Sequence, residues 1–416
     1  MTTRIIQGNA LDLPLDDDSV DLVVTSPPYF ALRSYRDGGE HFEGQIGSEA
    51  TPGEFLDALW AATAECIRVL KPSGSIFVNL GDKYSGVNPG SYRRHTQPMG
   101  PDGKTATGYH AEAAASEAEA AHKPDWGGVR RKSLMGLPWR YAIGCIDDLG
   151  LILRAEVVWS KPNSLPESVK DRVRRSHECW LHFTLEPRYF SAIDEIREPH
   201  KEVSLKRAAP HRANVLAHED RHQVDMTKAC HPLGKLPGSV WSIPSEPLQV
   251  PDELGVDHFA AFPQEWPRRL ILGWCPAEVC TACGQGRAPV TELDADYAAY
   301  REATGDWNAS LRSADGYDQK ANRRVDAAAP QTWAGTITGY ACACPDTTAP
   351  STPGVVLDPF CGTGTVPMVA RALRRTGIGV DLSSDYLRLA AWRVFESGHA
   401  SKSTARTNAE RQGSLL

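Results

Sequence analysis

No apolar run in this 416-residue chain reaches the length of a membrane-spanning helix, so none is expected. The opening Met1-Thr2-Thr3-Arg4-Ile5-Ile6 lacks the basic start and apolar core of a secretory leader, and a cytoplasmic chain is expected. A basic surplus is missing too. Lys and Arg number 45 against 52 Asp and Glu, a formal net charge of −7. That excludes a bulk polycation, but not a local basic face, which is all that nucleic-acid binding requires. No internal repeat occurs, which removes solenoids and propellers. What remains is ordinary globular composition, 41% hydrophobic and 23% charged, with enough length for a large core plus insertions. Ten cysteines are present; in a reducing compartment, close pairs read as metal ligands before disulfides.

Near the C-terminus, Val355-Val356-Leu357 reads as a short strand, Asp358-Pro359-Phe360-Cys361-Gly362-Thr363-Gly364-Thr365 as a tight turn, and 366–373 as a helix. Gly377-Ile378-Gly379-Val380 is the next strand and ends in Asp381. Glycines at a strand-to-helix turn let a ligand approach the backbone at the carboxyl ends of the strands. An acid about 20 residues further on can bond a ribose diol. Two signatures are absent: the full Gly-x-Gly-x-x-Gly fingerprint and a Gly-Lys-Ser/Thr phosphate loop. A nucleoside cofactor without a pyrophosphate fits better, against the bland reading of a glycine turn with a capping Asp.

At the other end, the buried strand Asp21-Leu22-Val23-Val24 runs through Thr25 into Ser26-Pro27-Pro28-Tyr29. Two prolines fix φ and remove two donors, giving a stiff loop with outward carbonyls. Such a loop suits an amine conjugated with a heteroaromatic ring, which is barely nucleophilic. The Pro27 carbonyl and Ser26 hydroxyl accept its N–H bonds and draw the lone pair out of the ring. Tyr29 offers a face on which a base taken out of its stack can rest. The competing reading is a proline-rich turn with a buried tyrosine. Residues 53–70 show helical spacing of Phe55, Leu56, Leu59, Ala62 and Cys66, Lys71 to Gly74 reads as a turn, and Ser75 to Leu80 as a strand. A helix to about Leu149 and a strand over 151–159 follow, and 256–277 looks helical.

Together these segments resemble the β-class amino DNA methyltransferases, the permuted group with the catalytic motif before the cofactor motif. Ser26-Pro27-Pro28-Tyr29 is similar to that family's catalytic motif, and Asp358 to Thr365 to its cofactor loop. His258-Phe259-Ala260-Ala261-Phe262-Pro263 resembles its helix-entry motif, and 151–183 its central block. The resemblance implies an α/β, Rossmann-like methyltransferase fold with a mixed, mostly parallel sheet ending in an antiparallel hairpin. It implies S-adenosylmethionine as cofactor and transfer of a methyl group to an exocyclic amino group of a flipped base in double-stranded DNA. Catalytic roles then fall on Ser26, Pro27, Pro28 and Tyr29. Cofactor contacts fall on Asn9, His258, Phe262, Pro263, Asp358, Pro359, Phe360, Gly362, Gly364, Thr365 and Asp381. Asn9 departs from the Asp common in the family. The leading Ser26 leans toward N4 of cytosine over N6 of adenine. The implied layout is a catalytic half in 1–83 and 133–194, an inserted flexible loop in 84–132 and a target-recognition region in 195–255. A cofactor-closing helix follows in 256–279, a cysteine-rich insertion in 280–344, a cofactor-binding half in 345–396 and a flexible tail in 397–416. A separately encoded restriction endonuclease is an expected partner.

Cys280-x-x-Cys283 and Cys342-x-Cys344 make a plausible four-thiolate structural zinc site, with Cys275 as rival ligand. Cys361 has no preceding-proline context for C5-cytosine chemistry, because no Pro-Cys dipeptide occurs, and reads as a small filler. Basic stretches at 170–175 and 197–235 are candidate phosphate contacts or solvated surface. Arg33, Arg36 and Lys83 are further candidates. His177-Glu178 reads as a structural pair. Methylation of RNA or of a protein amide, and a non-catalytic zinc-stabilised DNA-binding protein, are the competing functional readings.

Overall fold

The computed structural model describes residues 3–31, 36–37, 40–41, 44–85, 129–130, 132–204, 231–248, 262–295, 298, 335–346 and 348–396. Of the expected loop 84–132, residues 86–128 and 131 lie outside the described residues, as do 205–230, the tail 397–416, Arg33 and His258. Contacts divide the chain into two compact units. The first comprises 1–190, 239–277 and 353–416, the second 191–238 and 278–352.

The first unit is built on an eight-stranded sheet. Its strands are β1 (Arg4–Gln7), β2 (Val20–Thr25), β3 (Leu70–Leu80), β4 (Ile152–Ser160), β5 (His177–Thr184), β6 (Val240–Ser242), β7 (Val355–Asp358) and β8 (Thr376–Asp381). Their order across the sheet is β1-β8-β7-β2-β3-β5-β4-β6. Every pairing is parallel except β3 with β5 and β5 with β4, so the sheet is mixed and mostly parallel, with an antiparallel hairpin at β4–β5. Central strands covered on both faces must be apolar throughout, and all six residues of β2 are buried.

Helices α1 (Pro52–Val69), α2 (Leu137–Asp147), α3 (Glu265–Trp274), α4 (Thr365–Ala372) and α5 (Ser384–Ala391) supply the cover. Helix α1 starts where Thr51 and Glu54 form a reciprocal capping box with Pro52 behind it. Its face Phe55, Leu56, Leu59 and Cys66 joins one core with Ile76, Val78 and Leu80 of β3 and Leu137 and Tyr141 of α2. The intervening Phe77 points to the other side, 4.8 Å from Trp274 of α3 between ring centroids. Period-two alternation along β3 thus assigns α1 and α2 to one face and α3 to the other.

The expected turn at Lys71 to Gly74 is instead carried inside β3 as a bulge. Leu70 pairs with Val20 and Ser75 with Leu22, so four residues loop out between consecutive pairings. A Cβ on Gly74 would lie 2.5 Å from Leu70 Cδ1, which explains glycine at this fold-back. Of the stretch expected to be helical over 256–277, residues 256–261 lie outside the described residues and helix runs over Glu265–Trp274. Among the described residues no helix is long and apolar enough to cross a membrane.

In the second unit, the strands Ala288–Leu293 and Gly335–Ala341 pair antiparallel, and Val279–Cys280 pairs with Ser351–Thr352. The expected target-recognition stretch and the cysteine-rich stretch fall mainly within this one unit.

Candidate active site

The chain runs from β2 outward to β3 on one side and from β7 outward to β8 on the other. The order therefore reverses between β7 and β2, and at such a switch point the carboxyl ends of adjacent parallel strands open a crevice for ligands. Here the two ends are bonded together. Thr25 Oγ1, the last residue of β2, donates to Oδ1 of Asp358, the last residue of β7, at 2.8 Å. Both side chains are buried. Ser26 to Tyr29 and Phe360 to Thr365 leave from the two partners of this bond.

On the β7 side, the Phe360 N–H also donates to Asp358 Oδ1, at 3.2 Å. Burial pushes the Asp358 carboxyl up to about 7, with the neighbouring Asp381 charge adding to it and the bonds from Thr25 and Phe360 opposing it. Asp381 closes β8, and its two carboxylate oxygens accept from the Gly362 N–H at 2.8 Å and the Ser383 N–H at 3.0 Å. Gly362 and Gly364 sit at φ +47° and +71°, the left-handed region that glycine enters without penalty. A Cβ on Gly362 would meet nothing within 4 Å, so its backbone is open to a ligand, whereas one on Gly364 would lie 2.9 Å from Ala390 Cβ. One glycine serves approach and the other packing. Arg393, buried just past α5, clamps the turn from below: its Nη1 donates to the Thr363 carbonyl and to the hydroxyls of Thr363 and Thr365. Burial lowers its pKa to about 10. Cys361 is buried, as a filler would be, 2.9 Å from a Cβ placed on Gly379. Asn9 spends Oδ1 on the Leu11 N–H at 3.0 Å in a local turn beside β1.

On the β2 side, a polar network reaches Tyr29. Its hydroxyl shares its one proton between two acceptors, Asn79 Oδ1 at 2.8 Å and Glu178 Oε2 at 3.1 Å. Ser26 Oγ donates to the same Asn79 oxygen at 3.3 Å. The Asn79 amide is fixed in that sense because its Nδ2 donates to the Cys179 carbonyl at 3.1 Å. With its proton turned to Asn79, the Ser26 oxygen presents acceptor lone pairs. Glu178 is paired in turn with Lys161, whose ammonium lies 4.0 Å from the Trp159 ring centroid. Gly81 lies flat against the Tyr29 ring, where a Cβ would come within 2.7 Å.

Glu178, read from sequence as half of a structural pair, is thus bonded to Tyr29. Asn79 was missed altogether, although a lone amide within the apolar run Ser75 to Leu80 was the available signal. Lys83, a phosphate candidate, donates to the Ala31 carbonyl at 2.6 Å, just beyond Ser26 to Tyr29. Phe262 packs edge-on to Trp180, 5.6 Å between centroids, and Trp180 stacks on Trp266 at 5.0 Å. This aromatic stack anchors the entry to α3, with Pro263 buried beside it.

Against these coordinates, the sequence profile of the DNA methylase family matches residues 20–278 and 348–391. The chain belongs to the DNA methylase family. Within it, the type II methyltransferase M.XycI of Xanthomonas campestris pv. cyanopsidis is 40% identical over 201 residues, 47% of this chain and 59% of that protein. M.Cfr9I of Citrobacter freundii is 38% identical over 196 residues, 47% of this chain and 58% of that protein. These two matches span about three fifths of the relatives' own length. M.SmaI of Serratia marcescens is 25% identical over 393 residues, 94% of this chain and 90% of that protein. Among solved structures, PvuII DNA methyltransferase (cytosine-N4-specific) aligns with a TM-score of 0.49 and 17% identity, covering 98% of this DNA methylase and 93% of that chain.

In the second unit, the sulfurs of Cys280, Cys283 and Cys342 lie within 4.8 Å of one another. Gly284 at φ +70° lets the chain turn back, and its N–H bonds the Cys280 carbonyl at 2.9 Å. Backbone N–H groups of Cys283 and Ala282 pull the Cys280 thiol down to about 7. Such N–H groups favour a thiolate, the form that ligates metal. Cys344, the expected fourth ligand, is not in this cluster, and Cys275 is buried in the first unit.

Proposed function

We propose that this DNA methylase transfers a methyl group to the exocyclic amine of a base flipped out of duplex DNA, with N4 of cytosine as the favoured acceptor. The bond between Thr25 and Asp358 carries the reading, because it fastens the catalytic loop to the glycine turn across 333 residues of sequence. S-adenosylmethionine, when bound, supplies an electrophilic sulfonium methyl. The residues fit that group. Gly362 leaves open backbone for it, and an ionised Asp381 has enough acceptor sites to bond a ribose diol while keeping its two backbone N–H partners. Asp358, Pro359, Phe360, Gly364 and Thr365 shape the turn, and Phe262 and Pro263 the neighbouring wall; Asn9 and His258 are further candidate contacts.

The chain's own chemistry lies in the loop after β2. The Ser26 oxygen and the Pro27 carbonyl accept the two N–H bonds of the amine, which localises its lone pair on nitrogen. Tyr29 holds the base by its ring, locked in place by Asn79 and Glu178. After transfer the nitrogen sheds its extra proton to solvent or to a loop carbonyl. Purified protein is expected to move labelled methyl from S-adenosylmethionine into duplex DNA, and digestion is expected to release N4-methylcytosine. Recovery of N6-methyladenine would select the adenine reading instead, and label in RNA or protein with none in DNA would overturn both.

We further infer that Cys280, Cys283 and Cys342 hold a structural zinc ion; Cys344, two residues beyond Cys342 but outside their cluster, is the proposed fourth ligand once the metal draws it in. About one zinc per chain is expected by elemental analysis, lost on changing Cys283→Ser. In the cell, a separately encoded restriction endonuclease is the proposed counterpart.

A further inference from the structure

The loop joining β4 to β5, residues 161–176, emerges at the catalytic end of the sheet. Its first residue, Lys161, is paired with Glu178, which bonds Tyr29. Its far limb rests on the residues that follow β3: Arg175 donates to the Asp82 carbonyl, and the Arg172 guanidinium lies 3.9 Å from the Tyr84 ring centroid. The loop is thus fastened to the site from both ends.

Its composition is unlike that of the chain. Five basic residues (Lys161, Lys170, Arg172, Arg174, Arg175) stand against two acidic ones (Glu167, Asp171), a local charge of +3 in a protein of net −7. Amid this charge two large aliphatic side chains are held in water. Leu165 is 78% exposed and Val173 86% exposed, the two most exposed large hydrophobics among the described residues. A loop that only had to close a hairpin would be polar there. The exposure is not slackness, because the backbone is pinned. Pro162 and Pro166 stiffen the first limb. Glu167 Oε2 accepts from Arg172 at 2.7 Å and Glu167 Oε1 from the Arg175 N–H at 3.3 Å. Asn163 exchanges two hydrogen bonds with the backbone of Ser245. Arg174 Nη1 reaches the Ser164 carbonyl at 3.0 Å, which ties the neighbour of Leu165 to the neighbour of Val173. Both aliphatic side chains thus stand exposed on a hydrogen-bonded, basic loop.

Removing one base from a duplex leaves a gap in the stack, and apolar side chains inserted at a base step stabilise unstacked DNA when cations hold the adjoining phosphates. We propose that the 161–176 loop is a stack-filling wedge. On this inference, Leu165 and Val173 enter the duplex beside the target nucleotide while Lys170 and Arg174 grip the flanking phosphates. The inference rests on the proposed base-flipping activity and deepens it by assigning the surface that meets the duplex.

The test uses the full-length protein. The modified position is first mapped by sequencing DNA from cells that express it. Two synthetic duplexes of that sequence are then made, one with the target base paired and one with it opposite an abasic residue. Wild type is expected to methylate both. A variant carrying Leu165→Ser and Val173→Ser is expected to lose at least tenfold in kcat/KM on the paired duplex. On the abasic duplex, where flipping needs little help, it should come within about twofold of wild type. Leu165→Met should restore activity on paired DNA over Leu165→Ser. Equal loss on both duplexes, or no loss on the paired one, overturns the wedge. A wild-type protein that methylates neither overturns instead the activity on which the wedge rests. Both altered side chains are exposed, so unchanged thermal unfolding and S-adenosylmethionine affinity of the variant are expected controls.

Discussion

Tyr29 illustrates how one side chain is made specific by its neighbours. Its ring is the face proposed to hold a base, and its hydroxyl fixes that ring through Asn79 and Glu178. Tyr29→Phe keeps the ring and removes the shared bond. A net hydrogen bond contributes about 1 kcal/mol, so kcat should fall about fivefold with S-adenosylmethionine affinity unchanged. Tyr29→Ala removes the face as well and should cost about a hundredfold or more. A Tyr29→Ala enzyme that turns over normally would show that the loop has been assigned the wrong role. Asp358 gives a second residue-scale prediction. Its carboxyl is raised to about 7 in the folded protein from an ordinary 3.8. Below the lower value it is protonated in both states and has no effect. As pH rises from there to about 7, the unfolded chain releases the proton more readily, so this group's contribution to stability falls, by about 4 kcal/mol at most. Asp358→Asn keeps an acceptor for Thr25 and Phe360. It should flatten the fall in melting temperature between about pH 4 and 7, as measured by calorimetry; an unchanged slope would refute the raised carboxyl.

At the scale of elements, the strand–turn–helix from β7 to α4 contrasts two glycines. Gly364 starts α4 at φ +71° against Ala390 of α5. Gly364→Ala forces a left-handed alanine, which costs about 1–2 kcal/mol, and also pushes α4 from α5. Gly362→Ala, at φ +47°, carries the same left-handed penalty but meets no atom. Both substitutions should lower the melting temperature, Gly364→Ala by more because of its clash with Ala390, whereas Gly362→Ala should weaken S-adenosylmethionine binding more. The reverse ranking would mean the open side of the turn is not where the cofactor lies. These elements were legible in sequence because each obeys a local rule: glycines and an acid at fixed spacing, the apolar run Leu22 to Val24 within β2, and a five-residue apolar face on α1. What escaped obeys no local rule. The β3 bulge is set by pairing with β2, and its residues alone spell a turn. Asn79 and Glu178 gain their roles only because β3 and β5 pair and bring them to Tyr29.

For the molecule as a whole, the decisive property is that the candidate site belongs to no single segment. The ends of β2 and β7 are bonded through Thr25 and Asp358. The Asp381 carboxylate is bonded to the Gly362 N–H, and its carbonyl accepts from the Gly8 N–H at 3.0 Å. A ligand that fills this crevice binds only when the N-terminal and C-terminal parts of the sheet have come together. It must therefore stabilise the fold by mass action, about 2.7 kcal/mol at a hundred times its Kd. For a unit of this size that corresponds to a rise in melting temperature of about 5 °C. The rise should survive Tyr29→Ala, which alters only the acceptor side, and vanish in Asp381→Ala, which removes the ribose anchor. Thr25→Val leaves Asp358 with one donor fewer in a buried setting. It should lower both the melting temperature without ligand and the increment produced by S-adenosylmethionine, because one bond serves both. If Thr25→Val lowered stability while leaving the ligand increment whole, the bond would be structural only, and cofactor binding would not depend on the junction of the two chain ends.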